Sequence, residues 1–347
     1  MLVMGIETSC DETATAVVSD DRRILANIIH SQLEEHRPFG GVVPEIAARS
    51  HLQNLTGIIR SALDEAQISF EDLNGVAATA GPGLIGGIMV GIMAAKSISL
   101  VHGIPFVAIN HMEAHALTPR LTGAVEFPYL ALLVSGGHCQ FVVVEGPGRH
   151  RVLGSTIDDA IGEAFDKTAA LLGLNYPGGP AIEACAQQGN AAAYKLPQPM
   201  VGRQNCDFSF SGLKTAVRKL VESLGSKVED EGVVSNIAAS FQHAVAQVVA
   251  DRTQCAIKQF KSEYPAGTSL VAAGGVASNR VIRAILTNAA HDSDLSFSAP
   301  PGPLCTDNGA MIAWAGIEQL RSGRQSSLEF APRPRWSLDE LAASGQG

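Results

Sequence analysis

One pattern constrains this chain more than any other: an apolar run, a short polar turn and a second apolar run, written twice. The first copy is Leu2-Val3-Met4-Gly5-Ile6, the polar stretch Glu7 to Thr13, and Ala14-Thr15-Ala16-Val17-Val18. The second is Tyr129 to Val134, then Ser135-Gly136-Gly137-His138, then Cys139 to Val144. Each reads as a buried strand hairpin. A recurrence so widely spaced is no solenoid period. It predicts two structurally related lobes, each opening with a hairpin whose tip can face a shared cleft. At roughly 100–200 residues per domain, 347 residues with 46% hydrophobic content can fill two cores.

Between and after the hairpins, helical patterns at 44–66, 84–101, 158–172, 213–224 and 236–261 alternate with strand patterns at 75–79, 105–109 and 269–273. That alternation predicts an α/β fold. The 236–261 helix places Ile237, Phe241, Val245, Val248 and Cys255 on one face. The stretch after Phe330 is rich in Pro, Ser and Gly and is expected over the surface.

Charge and cysteine usage exclude several classes. Twenty-five Lys and Arg against 34 Asp and Glu give −9, which argues against bulk-charge binding to nucleic acid or a polybasic membrane contact. Six cysteines lie far apart with no CxxC pair, as expected of reduced cytosolic thiols rather than a disulfide framework or a cysteine zinc site. Glu7, Asp11 and Glu12 interrupt the apolar start before a signal-peptide core can form. The longest uncharged run, Leu73 to Ala95, contains Pro82 and six glycines. It falls short of the roughly 20 predominantly apolar residues of a membrane span. A soluble, cytoplasmic protein without a membrane partner is expected.

The sharpest chemical signal is His111-Met112-Glu113-Ala114-His115. Two histidines four apart on a helix project from one face, as a bidentate metal site requires; surface or capping histidines share this spacing. A zinc peptidase would carry its glutamate directly after the first histidine. Here Glu113 is two residues on, about 200° around the helix, and is predicted to point away from the metal face. A third ligand is sought in Cys305-Thr306-Asp307-Asn308-Gly309-Ala310, where Asp307 opens an apolar helix. The plainer reading of Asp307 is that helix's N-cap.

Three glycine turns form a second cluster: Ser135-Gly136-Gly137, Tyr176-Pro177-Gly178-Gly179-Pro180 and Ala273-Gly274-Gly275-Val276. Such turns can present backbone N–H groups to phosphate or let a flat base lie close. Neither GxxxxGK[ST] nor GxGxxG is present, so a nucleotide site here is neither P-loop nor Rossmann. A third cluster places Glu163, Asp166 and Lys167 on one helix face: an exposed ion-pair stripe, or Asp166 accepting hydrogen bonds from a ribose. Asp11 and Glu12 at the first hairpin tip are solvated turn residues, or a base and orienting pair over a reacting group.

These motifs occur in one order. Gly5 to Thr13, Gly40-Gly41-Val42-Val43-Pro44-Glu45, Thr79-Ala80-Gly81-Pro82-Gly83-Leu84 and the His111–His115 motif come first. Leu133 to His138, Gly162 to Thr168, Tyr176 to Pro180, Asp207 to Thr215 and Cys305 to Met311 follow. From Gly5 to about Trp336 the chain resembles the bacterial tRNA N6-adenosine threonylcarbamoyltransferase (TsaD) family.

The resemblance implies a two-lobed actin/Hsp70/sugar-kinase-like (ASKHA) fold with a central cleft. It implies a lobe at 1–118 completed by a helix at 306–322, a second lobe at 127–305, and a surface tail at 331–347. The implied reaction moves threonylcarbamoyl from threonylcarbamoyl-AMP to N6 of adenosine 37, in the anticodon loop of tRNAs reading ANN codons. His111, His115 and Asp307 are the implied ligands of one Fe(2+), with Zn(2+) in some members. Leu133, Val134, Ser135, Gly136, Gly137, Asp166, Gly179, Glu183 and Asn279 are the implied adenylate-binding set. Asp11, with Glu12 beside it, is the candidate base for the adenine amine. Ala116 and Cys139 depart from the usual family residues, which bears on pocket packing. An inactive paralogue (TsaB) and a small ATPase (TsaE) are the implied partners. Net −9 opposes tRNA binding, but Lys195, Arg203, Lys214, Arg218 and Lys219 face only Asp207, and Arg321, Arg324, Arg333 and Arg335 only Glu329. The rival readings are a metallopeptidase, an ATP-dependent phosphotransferase of the same fold, and a non-catalytic scaffold, which should lack the histidine pair.

Overall fold

The structure is a computed structural model that describes residues 1–39 and 41–343. Gly40 and the last four residues of the expected tail lie outside the described residues. Strands β1 (Leu2–Glu7), β2 (Glu12–Ser19), β3 (Ile24–Ser31), β4 (Gly75–Gly81) and β5 (Phe106–Asn110) form one sheet in the order β3-β2-β1-β4-β5. Strands β6 (Tyr129–Val134), β7 (Cys139–Gly146), β8 (Arg149–Ser155), β9 (Ser269–Ala273) and β10 (Ser296–Ser298) form another in the order β10-β9-β6-β7-β8.

The two sheets share one plan. In each, the predicted hairpin is antiparallel, with Gly5 opposite Ala16 and Leu132 opposite Phe141. In each, a crossover strand then joins the hairpin's first strand in parallel, β4 to β1 and β9 to β6. Buried on both faces, β1, β4, β6 and β9 read as continuous apolar runs rather than alternating ones. The sequence patterns missed β3, β8 and β10, whose mixed exposure gives no clean period.

The chain divides into two compact units. Unit 1 comprises residues 1–124, 145–150 and 306 onward; unit 2 comprises 125–144 and 151–305. Unit 1 takes in the β7–β8 turn because Glu113 and Arg324 hold it. Gly148 N donates to Glu113 Oε1 at 2.6 Å, and Arg324 Nη1 donates to Pro147 O at 2.8 Å. The stretch after Phe330 also differs from expectation. Trp336 and Leu338 are buried, Arg333 N donates to Ala80 O, and Asn110 Nδ2 donates to Trp336 O. The buried indole, the Ala80 carbonyl in β4 and the Asn110 side chain ending β5 give this polar segment a fixed place.

Helix Ile85–His102 packs on the first hairpin through small residues. Thr8 Oγ1 donates to Gly87 O, and a Cβ on Gly91 would lie 2.3 Å from Thr8 Oγ1. By length and hydropathy this helix and Glu231–Glu263 match membrane spans, but both pack within α/β units. In the longer helix Ile237, Phe241, Val245 and Val248 are buried as predicted, whereas Cys255 is half-buried. Helix Gly178–Ala186 forms where the sequence reads only as a glycine turn.

Helix Gly309–Arg321 closes unit 1 against β1 and β2 at unusually short range. A Cβ on Gly5 would lie 2.2 Å from Ala313 N, and one on Gly309 would lie 2.4 Å from Ala16 N. Backbone blocks both positions, so no side-chain rotation can relieve the overlap. Gly5→Ala should therefore cost about 3 kcal/mol or more, read as a lowered denaturant midpoint, while Gly41→Ala, with open space around it, should leave the midpoint unchanged.

Candidate metal centre and nucleotide-binding turns

The histidine pair sits at the start of helix His111–Thr122, directly after β5. Asn110 fixes that start: its side-chain oxygen accepts from Met112 N and Glu113 N. His111 and His115 stand one turn apart with ring centroids 4.7 Å apart at 88°. Asp307 reaches them from the far end of the sequence. Its Oδ1 lies 3.0 Å from His115 Nε2 and 3.5 Å from His111 Nε2. One ligand atom from each residue falls within 4.8 Å of the others. Asn308, not Asp307, caps the following helix by accepting from Met311 N. The carboxylate of Asp307 is thereby left to the histidines.

Three residues that the motif reading passed over build the support for His111. Glu7 Oε2 lies 3.0 Å from His111 Nδ1, Ser9 Oγ lies 3.2 Å from the same nitrogen, and Thr79 Oγ1 donates to Glu7 Oε2. Ser9 N donates to Glu7 Oε1 at 2.6 Å. A carboxylate on Nδ1 favours a proton there, so Nε2 is the nitrogen a metal would take. Two imidazole nitrogens and one carboxylate oxygen are a donor set suited to Fe(II) or zinc, with positions left open. His115 Nδ1 is buried without a hydrogen-bond partner among the described residues.

Glu113 does point away from this group. Its buried carboxylate accepts from Gly148 N and from Gln319 Nε2 at 2.7 Å, and burial raises its pKa to about 7. The glutamate a zinc peptidase would need as base is thus committed elsewhere.

Acidic groups crowd the histidines. Burial, Asp307 and Asp11 push Glu12 up to about 10. Burial opposes a charge on His111, but Asp307 and Glu7 outweigh it and raise this imidazole to about 9. In His111's field Glu7 is lowered despite its own burial.

In unit 2 the glycine turns meet. The Ser135-Gly136-Gly137 turn follows β6, and Glu163 N donates to Gly136 O. A Cβ on Gly162 would lie 2.6 Å from Ser135 O. Gly274, at φ +98°, lies so close to Val134 that a Cβ would sit 2.3 Å from its carbonyl oxygen. Asp166 Oδ1 accepts from Gly178 N at 2.7 Å, and burial raises its pKa. Glu183 Oε1 accepts from Arg280 N at 2.9 Å, and Asn279 caps helix Arg280–His291 while donating to Gln242. Leu133 and Val134 are buried; Gly136, Gly137, Gly179 and Gly275 face open space. The ion-pair stripe also exists, but without Asp166: Lys167 pairs with Glu163 at 2.6 Å and Asp159 at 3.2 Å. The departures Ala116 and Cys139 are both buried.

Parts of the two basic stretches are otherwise engaged. Lys214 pairs with Asp159 at 2.7 Å, Arg321 Nη2 approaches Asp20, and Arg333 lies over Phe330 and Trp336. Lys195, Arg203, Arg218, Lys219 and Arg335 are exposed.

The tRNA N6-adenosine threonylcarbamoyltransferase (TsaD) family matches residues 23–314. A protein of that name from Paramagnetospirillum magneticum is 57% identical over 345 residues, covering 99% of each chain. One from Rhodospirillum rubrum is 56% identical over 350 residues, covering 99% of this chain and 97% of its own. Among solved structures, full-length HypF in a phosphate- and nucleotide-bound form superposes with a TM-score of 0.59 at 12% identity, over 94% of this chain and 47% of its own. HypF from T. kodakarensis gives 0.57 at 14% identity, over 92% and 48%. The fold is α/β of the actin/Hsp70/sugar-kinase-like class.

The electrostatics around His111 can be read directly. In metal-free protein its imidazole should titrate near 9 by NMR. Glu7→Gln removes one of the two raising carboxylates, so the midpoint should move down toward the ordinary value of about 6.5; an unmoved midpoint contradicts the pairing.

Proposed function

This chain belongs to the tRNA N6-adenosine threonylcarbamoyltransferase family, and we propose that its transfer of threonylcarbamoyl to N6 of a tRNA adenosine draws on threonylcarbamoyl-AMP. The target is adenosine 37 in the anticodon loop of tRNAs reading ANN codons. The observation that carries the reading is the convergence of His111, His115 and Asp307 within 4.8 Å, with Glu7 orienting His111.

Those three residues would hold one Fe(2+), with Zn(2+) the alternative, and the cation would supply Lewis-acid polarisation of a substrate oxygen. The chain's own residues do the rest. Ser135, Gly136 and Gly137, ending β6 after Leu133 and Val134, present backbone to the adenylate. Asp166 and Glu183 offer acceptors to the ribose, and Gly179 and Asn279 line the same turn cluster. A mixed anhydride already carries an activated carbonyl, so positioning and charge stabilisation dominate. The N6 nitrogen bonds to the carbamoyl carbon, the carbon–oxygen bond to phosphate breaks, and AMP leaves with the electron pair. The N6 proton passes to Asp11. Glu12, pushed up to about 10, keeps its proton at neutral pH and serves as a hydrogen-bond donor beside it.

Helix Ile85–His102 exposes Ile85, Met89 and Met93, four residues apart, and this apolar stripe is the seat of the inactive paralogue, TsaB. The small ATPase, TsaE, completes the working complex. These proteins act in the cytoplasm.

Transfer of labelled threonine from preformed adenylate to tRNA tests the reading. Asp11→Asn should slow the single-turnover step by about 10²–10⁴-fold, and His111→Ala should abolish stoichiometric metal together with transfer. Full transfer by Asp11→Asn removes the base assignment. Binding of tRNA by the isolated chain should be weak and fall with salt, and Arg218→Glu with Arg335→Glu should weaken it further; salt-independent binding contradicts a phosphate contact.

A further inference from the structure

Cysteines 49 positions apart in the sequence meet in unit 2. Cys206 lies in the segment leading to Phe208, Cys255 on helix Glu231–Glu263, and their sulfurs are 3.4 Å apart. The segment is held in place. Arg252, its guanidinium buried, donates to Arg203 O at 2.9 Å and Asn205 O at 2.5 Å. Cys255 Sγ donates to Gln204 O at 3.1 Å. A disulfide needs about 2.05 Å between sulfurs, so closure from 3.4 Å asks for an approach of about 1.4 Å. Cys206 is buried and Cys255 half-buried, so a small oxidant reaches the second first.

We propose that Cys206 and Cys255 form a dithiol that hydrogen peroxide oxidises to an intramolecular disulfide. The thiolate of Cys255 attacks one peroxide oxygen; the O–O bond breaks, water leaves, and Cys255 becomes a sulfenic acid. The Cys206 sulfur then attacks the Cys255 sulfur, forming the S–S bond and expelling a second water. Two thiols lose two electrons and two protons, and one peroxide becomes two waters. A small thiol reverses the step by exchange. Burial and the neighbouring Cys255 push Cys206 up to about 12, so it stays a thiol while the less buried Cys255 meets the oxidant first. The bond fastens residue 206 to the long helix beside Asp207, whose carboxylate accepts from Ser155 N.

The test treats the full chain with hydrogen peroxide, blocks free thiols by alkylation, and maps the peptides by mass spectrometry. Expected are loss of two of the six thiols, a peptide pair joined through Cys206 and Cys255, and recovery of both thiols with dithiothreitol. In Cys206→Ser, dimedone should trap sulfenic acid on Cys255 severalfold more than in the unaltered chain. Both cysteines remaining alkylatable, sulfinic acid on Cys255 without a bridge, or equal dimedone trapping in the two proteins would each overturn the proposal.

Discussion

The close seating of helix Gly309–Arg321 on β1 and β2 is the constraint from which the rest of unit 1 follows. Gly5 and Gly309 leave no side chain between helix and sheet, so the helix start comes within backbone contact of the first hairpin. Asp307, two residues upstream, is thereby carried to His115 across 192 positions. Asn308 takes over the helix cap, which spares the aspartate that role. A bulkier contact would move the carboxylate outward and leave two histidines without their acid.

Around that junction the charges are unbalanced by design of the fold. Glu7 and Asp307 bear on the His111 imidazole, and Asp307 and Asp11 on Glu12, mostly away from solvent. Desolvation alone would neutralise such a group. Burial and the neighbouring acids accordingly keep a proton on Glu12, whereas Asp307 and Glu7 hold charge on His111 against its burial. A cation taken up at His111 Nε2 would have to displace the proton held there. Unit 2 works differently: its clustered turns offer bare backbone and a few acceptors, with Asp166 and Glu183 already holding the neighbouring helix starts.

What could be read in the residues themselves was local. Both hairpins announce themselves because polar tips interrupt long apolar runs, and His111 with His115 because four residues make one helical turn. Glu113 was correctly turned away for the same reason. Glu7 and Ser9 sat inside a quoted motif without a role, since their contact with His111 spans more than a hundred positions and leaves no periodic trace. Cys206 and Cys255 escaped the spacing rule that searches for close pairs; the fold, not the sequence interval, brings them together. Strand β10, three residues long, is too short for any period to show. The basic stretches read as uniform charge, yet Lys214 and Arg333 turned out to serve internal contacts.

Unit 1 is split by the whole of unit 2, and its last segment begins only at Thr306. A ribosome delivers the chain from its N-terminus, so both histidines exist for most of synthesis without their aspartate. Residues 125–305 can condense while the earlier unit waits, open on the side that Gly309–Arg321 will cover. An ion captured during that interval would be gripped by imidazole alone. The cluster of His111, His115 and Asp307 is therefore completed last.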